Sequence, residues 1–351
     1  MNKIKVLIVD DSAFMRKALE GMLLGEEDIE IAGFGKNGED AIRLVKELKP
    51  DVLTLDVEMP GIDGLTTLKR IMAESPLPVI MISSLTLAGA DITLTALELG
   101  AVDFISKAKA SGLLKMSDEL KSKIRRFGKD ATLVNKLRFS GRSSSVDRSS
   151  RFRPGVLPSR KQIVALGVST GGPQSLQKVI PLLPATLDVP ILVVQHMPPN
   201  FTHSLASRLN ALSAVSVVEA QGGEKLEPKT VYIAKGGKQM LVRKNGIIDI
   251  RDADEKNFHN PSVDVLVQSV ADVYGKDALG VIMTGMGSDG VKGLTSLKAA
   301  GGYVLSQSEE TCIVYGMPRV VEEAGLADEV VPLGSIADRI IFHCSKNYGE
   351  N

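Results

Sequence analysis

The chain is poor in the features that announce several common functional classes. Its 351 residues include only two cysteines, Cys312 and Cys344, and four histidines. Neither cysteine stands in a metal-ligand spacing or beside a histidine pattern, which argues against structural zinc and leaves both as reduced core or surface residues. His203, His259 and His343 are scattered singly and read as surface or satisfied side chains, not ligands. Lys and Arg number 42 against 42 Asp and Glu, so no net field draws nucleic acid or an anionic membrane. The apolar run in MNKIKVLIVDDSAF is too short for a signal peptide, and no later run approaches a membrane-spanning length. The expectation is a cytoplasmic protein, not membrane-inserted, with no nucleic-acid partner.

What is present is α/β alternation. A chain of this length exceeds one comfortable core, so two domains are expected. From 1 to 125, five short apolar runs (IKVLIV, IEIAGF, DVLTLD, PVIMISS, VDFISK) alternate with amphipathic segments, the pattern of a doubly wound parallel sheet. Residues 126–160 turn Ser- and Arg-rich with no sustained apolar period and read as a basic linker. The alternation resumes over 161–345. Within it, 215–252 reads as an insertion of short strands with a hairpin turn at Lys244-Asn245-Gly246.

Strand ends carry the chemistry in such sheets. Asp10 and Asp11 end the first strand and Asp56 the third, so three carboxylates meet at one edge. Oxygen ligands of this kind suit Mg²⁺, which also bridges phosphate. Ser83 and Lys107, at the ends of the fourth and fifth strands, add a hydroxyl and an ammonium for phosphoryl oxygens. VLIVDDS, LTLDVEMPGIDG, MISS and DFISK together resemble a response-regulator receiver domain over residues 1–125. The resemblance implies phosphorylation of Asp56 with Mg²⁺, switching through Ser83 and Lys107, and Phe104 as an aromatic switch residue that reads equally as core. Ala108 follows Lys107 where receivers usually carry proline. A non-proline cis bond costs about 3 kcal/mol, so this departure bears on the usual cis peptide, while the lysine is retained.

In the second block, Ser169 lies between Gly167 and Gly171 after an apolar run, and His196 and Asp289 each follow another. Serine needs a base to become nucleophilic, histidine titrates near neutrality, and a carboxylate orients the imidazole. Gly167-Val168-Ser169-Thr170-Gly171 matches the nucleophile elbow of α/β-hydrolases, but the order Ser, His, Asp does not. Gly285 to Gly290 matches G-x-G-x-x-G with Glu309 about twenty residues on, a dinucleotide-binding alternative. A phospho-dependent docking module with an inactive hydrolase-like domain is a further one. ALGVSTGGP, VVQHMPPNF, NPSVDVL and VIMTGMGSDGVKGL resemble the catalytic domain of the CheB family of chemotaxis protein-glutamate methylesterases.

That resemblance implies Ser169 as nucleophile, His196 as general base and Asp289 as orienting carboxylate. Thr170 and Met286 are the oxyanion candidates, one such donor being worth about 3–4 kcal/mol. A side chain at Gly171, Gly172 or Gly287 is expected to block backbone approach to the substrate. The hydrolase site should need no cofactor. The implied substrates are glutamyl methyl esters and glutamines of methyl-accepting chemotaxis receptors, with a chemotaxis histidine kinase as phosphodonor and the receiver inhibiting the esterase until Asp56 is phosphorylated.

Overall fold

The computed structural model describes residues 3–107, 113–129, 160–253 and 259–345; Ala108 and most of the basic linker lie outside them. Two compact units divide the chain, Met1–Ser145 and Val146–Asn351. No helix among the described residues is long and apolar enough to cross a membrane.

In the first unit β1 (Ile4–Val9), α1 (Ala13–Leu23), β2 (Ile29–Gly35), α2 (Gly38–Leu48), β3 (Val52–Asp56), α3 (Gly64–Glu74), β4 (Val79–Ser83), α4 (Leu87–Glu98), β5 (Asp103–Ser106) and α5 (Leu113–Gly128) alternate. Helix α5 runs past the boundary expected at 125. Every residue of β3 and β4 is buried, which requires helices on both faces of the sheet. Ser12, Asn37, Asp63 and Thr86 start α1 to α4 by accepting a hydrogen bond from a first-turn N–H. The strands pair in parallel in the order β2-β1-β3-β4-β5. The chain reverses direction across the sheet between β1 and β3, opening a crevice at their carboxyl ends.

The second unit contains β6 (Ile163–Val168), α6 (Gly172–Val179), β7 (Ile191–Gln195), α7 (Phe201–Leu212), β8 (Ser216–Glu219), β9 (Thr230–Ile233), β10 (Lys238–Val242), β11 (Ile248–Asp252), α8 (Val263–Tyr274), β12 (Ala278–Ile282), α9 (Val291–Ala299), β13 (Tyr303–Gln307), α10 (Met317–Glu323), β14 (Glu329–Val331) and α11 (Leu333–Cys344). Seven strands form one parallel sheet in the order β14-β13-β12-β6-β7-β9-β8. Strands β6 and β12 are buried throughout, and the chain winds outward from β6 in both directions. The carboxyl ends of β12, β6 and β7 therefore form the switch point of this sheet.

The segment 215–252 corrects one expectation. Strands β8 and β9 are not part of an insertion; they extend the main sheet, with Ile191 of β7 paired to Val231 and Val217 of β8 paired to the same residue. Short runs read alike in a hairpin and in a larger sheet, and here β9 pairs in parallel with β7 and leaves β8 at the edge. Only β10 and β11 form the antiparallel hairpin, closed at Lys244-Asn245-Gly246 with Gly246 at φ 72°. Cys312 and Cys344 are free and buried, and burial pushes the Cys344 thiol up to about 12.

The last helix is tied to the sheet through Glu329, which is buried on β14. Its carboxylate accepts from Tyr303 Oη at 2.8 Å, Arg339 Nε at 2.6 Å and His343 Nε2 at 3.0 Å. Burial alone would raise its pKa, but these donors outweigh it and hold the group down to about 2 from the ordinary 4.5. A depressed carboxylate contributes stability above its unfolded pKa that is lost as pH falls toward the folded value. The shift corresponds to about 3 kcal/mol. All five tyrosines lie in the second unit, so tyrosine fluorescence in urea follows that unit alone. Stability read this way is expected to fall between pH 4.5 and 2, and Glu329→Gln should flatten that fall.

Candidate functional site

At the switch point of the second unit, Ser169 and His196 step off β6 and β7 side by side. Val168 pairs with Gln195 in the last register position of the two strands, and His196 N donates to Val168 O at 3.2 Å. Neighbouring strands lie about 4.8 Å apart, which places the two side chains as lateral neighbours. Ser169 N donates to Thr284 O, the residue that leaves β12 on the other side. Gly285 comes so close that a Cβ there would lie 2.8 Å from Ser169 Cβ. The loop carrying Met286 thus packs against Ser169.

Asp289, 8% exposed, lies in the loop between β12 and α9. Its Oδ2 accepts from His196 Nε2 at 2.8 Å and from Val263 N at 2.7 Å. Its Oδ1 accepts from Ser262 Oγ and Asp264 N, each at 2.9 Å. The carboxylate therefore sits on the first turn of α8, where N–H groups lack partners of their own. Burial would raise its pKa; the hydrogen bond and charge of His196, with the N–H groups of Asp264 and Val263, outweigh that and hold it well below the usual carboxylate range. Because Nε2 is committed to Asp289, the other ring nitrogen, Nδ1, is the one left to act. It is buried without a hydrogen-bond partner among the described residues. The ring of His259 stacks on that of His196, with centroids 4.1 Å apart and planes 2° from parallel.

Helices α8 and α9 exchange acids. Asp289, just before α9, caps α8, while Asp264 in α8 accepts from Gly290 N and Gly293 N at 2.9 Å and caps α9. This bears on the dinucleotide alternative. Gly285 to Gly290 does join a strand to a helix, and Glu309 follows the next strand, yet the N–H groups that would receive a pyrophosphate already hold a carboxylate. Another anion there would meet like charge.

Gly171 and Gly172 act differently from expectation. A Cβ on Gly171, which has φ 76°, would lie 2.7 Å from Ile313 Cβ, and one on Gly172 would fall 1.8 Å from Gln195 Oε1. Both make room for the protein's own side chains, not for substrate. Nothing lies within 4 Å of a Cβ on Gly287. Thr170 is buried, and its carbonyl accepts from Thr284 Oγ1 at 2.9 Å, which also receives Val314 N. Thr284 so ties the three loops around Ser169 together.

Ser262, Val263, Asp264, His259 and Gln195 were not assigned roles from sequence. NPSVDVL and VVQHMPPNF mark their neighbourhoods, but a clamp made largely of backbone N–H groups has no residue-type signature. The remaining lone histidines behave as expected, with His203 exposed and His343 bonded to Glu329.

At the crevice of the first unit, Asp10 and Asp56 are buried and Asp11 is exposed, and a ligand oxygen from each lies within 4.8 Å of the others. Lys107 Nζ is 2.7 Å from Asp56 Oδ2 and 3.2 Å from Asp10 Oδ2. Burial foremost, with the charge of Asp10, pushes the Asp56 carboxyl up to about 6 against the pull of Lys107. Asp10 and Asp56 share the ammonium of Lys107, so the three clustered carboxylates keep an excess of negative charge that a cation would offset, and the all-oxygen donor set fits Mg²⁺. The Ser83 hydroxyl is not joined to this cluster. It lies 2.7 Å from Thr93 Oγ1 and 3.2 Å from Gly89 O, facing α4. Phe104 is 7% exposed, with Lys123 Nζ donating to its carbonyl at 2.6 Å.

The CheB methylesterase profile matches residues 164–340, and the response regulator receiver domain profile matches 6–117. A protein-glutamate methylesterase/protein-glutamine glutaminase of Bacillus licheniformis is 46% identical, covering 98% of this chain and 99% of its own. One of the same name from Halalkalibacterium halodurans is also 46% identical, with the same coverage. The crystal structure of the Thermotoga maritima CheB methylesterase catalytic domain is similar to the second unit, at 44% identity and a TM-score of 0.50 over 52% of this chain and 97% of that one. With two family domains matched in order and near full-length similarity to such enzymes, the chain belongs to the CheB methylesterase family, in the form that carries an N-terminal receiver domain.

Proposed function

We propose that this protein is a phosphorylation-activated protein-glutamate methylesterase and protein-glutamine glutaminase acting on methyl-accepting chemotaxis receptors. The observation that carries the hydrolytic reading is the committed pair His196 Nε2 and Asp289, which leaves a buried, partnerless Nδ1 at the strand step beside Ser169. Ser169 Oγ attacks the γ-carbonyl carbon of the glutamyl ester and passes its proton to Nδ1, while Asp289 stabilises the imidazolium. The Met286 loop N–H and the Thr170 side chain receive the oxyanion. Collapse breaks the C–O bond, the methoxide takes the Nδ1 proton, and methanol leaves. Water then attacks the acyl-enzyme, gives its proton to Nδ1, and frees the γ-carboxylate and Ser169. A glutamine follows the same route with ammonia leaving.

The receiver supplies control. Asp10, Asp11 and Asp56 would hold Mg²⁺, which supplies positive charge shared between the carboxylates and a phosphoryl group. A chemotaxis histidine kinase or a small phosphodonor phosphorylates Asp56, adding close to two negative charges. Lys107 then leaves its present ion pair toward the phosphoryl oxygens, and Ser83 exchanges Thr93 and Gly89 for them. In the unphosphorylated protein the receiver restrains the esterase, with the segment between the units as tether and the cytoplasm as the place of action.

The deciding experiment is methanol release from methylated receptor membranes, with and without Mg²⁺ and a small phosphodonor. Release should require Ser169 and rise with phosphodonor. In Asp56→Asn that rise should vanish. A phosphodonor response that survives the substitution would refute the switch, and no release under any condition would favour a docking module.

A further inference from the structure

Two carbonyls converge on one side chain beneath the site. Gln195, the last residue of β7, is 2% exposed. Its Nε2 donates to Ser169 O at 2.9 Å and to His196 O at 3.2 Å. The amide nitrogen brings two protons to two acceptors, one on the residue carrying the nucleophile and one on the residue carrying the base. A hydroxyl has one proton, and an ammonium would add an unpaired buried charge. Ser169 O also accepts from Gly172 N at 2.8 Å, closing the turn into α6, so the Ser169 peptide is held from two sides.

The other end of the same amide has no partner. Gln195 Oε1 is buried without a hydrogen bond, and it lies so close to Gly172 that a Cβ there would fall 1.8 Å from it. An unpartnered buried acceptor is destabilising, so the amide is kept for what its two donors hold. We infer that Gln195 is a positioning residue, whose amide bridges the Ser169 and His196 peptides and sets the spacing at which Ser169 Oγ can reach His196 Nδ1. The inference rests on the proposed roles of Ser169 and His196. It also accounts for Gly172, since any larger residue would displace the bridging amide.

The test compares wild type, Gln195→Met, Gln195→Glu and Ser169→Ala in full-length protein, by methanol release from methylated receptor membranes and by thermal melting. Gln195→Met keeps the length and removes both donors. Its kcat should fall about tenfold to a hundredfold, the scale of a misplaced reacting group, with KM for receptor unchanged and Tm lowered by only a few degrees, because His196 O loses its donor while Ser169 O keeps Gly172 N. Gln195→Glu keeps the shape but turns acceptor oxygens toward two carbonyls, and should lose at least as much kcat. Wild-type kcat in Gln195→Met, or a loss of activity that simply follows a loss of Tm, would overturn the inference. Activity retained in Ser169→Ala would instead bring down the serine mechanism and this inference with it.

Discussion

A Ser169→Ala protein is expected to lose esterase and deamidase turnover by a factor on the order of 10⁴ to 10⁶, the range over which removing a triad nucleophile acts in serine hydrolases. Melting should stay that of wild type. Among the described residues the fold holds this residue through its peptide, whose N–H donates to Thr284 O and whose carbonyl accepts from Gly172 N and Gln195 Nε2, and through its Cβ, which packs against Gly285. Alanine keeps all of these. The hydroxyl can therefore be removed without touching the scaffold, which makes the substitution a clean assay of chemistry. A folded Ser169→Ala protein with wild-type methanol release would end the triad assignment.

Asp289→Asn should cost a factor on the order of 10⁴ in kcat, as replacing an orienting carboxylate by its amide does elsewhere, and here it should also lower Tm. Two donors converge on Oδ1 and two on Oδ2. An amide offers a carbonyl to one pair and must aim its own N–H₂ at the other. If the amide nitrogen takes the Oδ2 position, His196 must turn an unprotonated nitrogen toward it, which moves the ring proton to Nδ1 and blocks acceptance of the serine proton. If it takes the Oδ1 position, Ser262 Oγ and Asp264 N lose their acceptor. Asp264→Asn, which disturbs only the reciprocal cap, should lower Tm with a much smaller effect on kcat. Equal kcat losses in the two variants would contradict the distinct roles.

The two parallel sheets were legible because apolar runs of five or six residues recur between amphipathic segments, and the strand-end residues Asp56, Ser169 and His196 lie within or beside those runs. Asp289 was legible only through its motif, since it lies several residues beyond β12 and reaches the site by lying across α8. Strands β8 and β9 group with the hairpin in sequence because all four are runs of four or five residues set close together, and only the pairing of β9 with β7 and of β8 with β9 separates them. Gln195 and His259 carried no signal of their own. A buried glutamine at a strand end and an isolated histidine acquire meaning only when folding brings two carbonyls, or a second imidazole ring, against them.

The exchange of acids between α8 and α9 makes the proposed catalytic carboxylate also the cap of α8. Selection on folding alone would therefore keep Asp289 in a descendant that had lost its nucleophile, because removing it leaves Ser262, Val263 and Asp264 with donors facing nothing. Ser169 has no such second employment. Asp289 therefore reports the fold, whereas the activity proposed here would be reported by the serine.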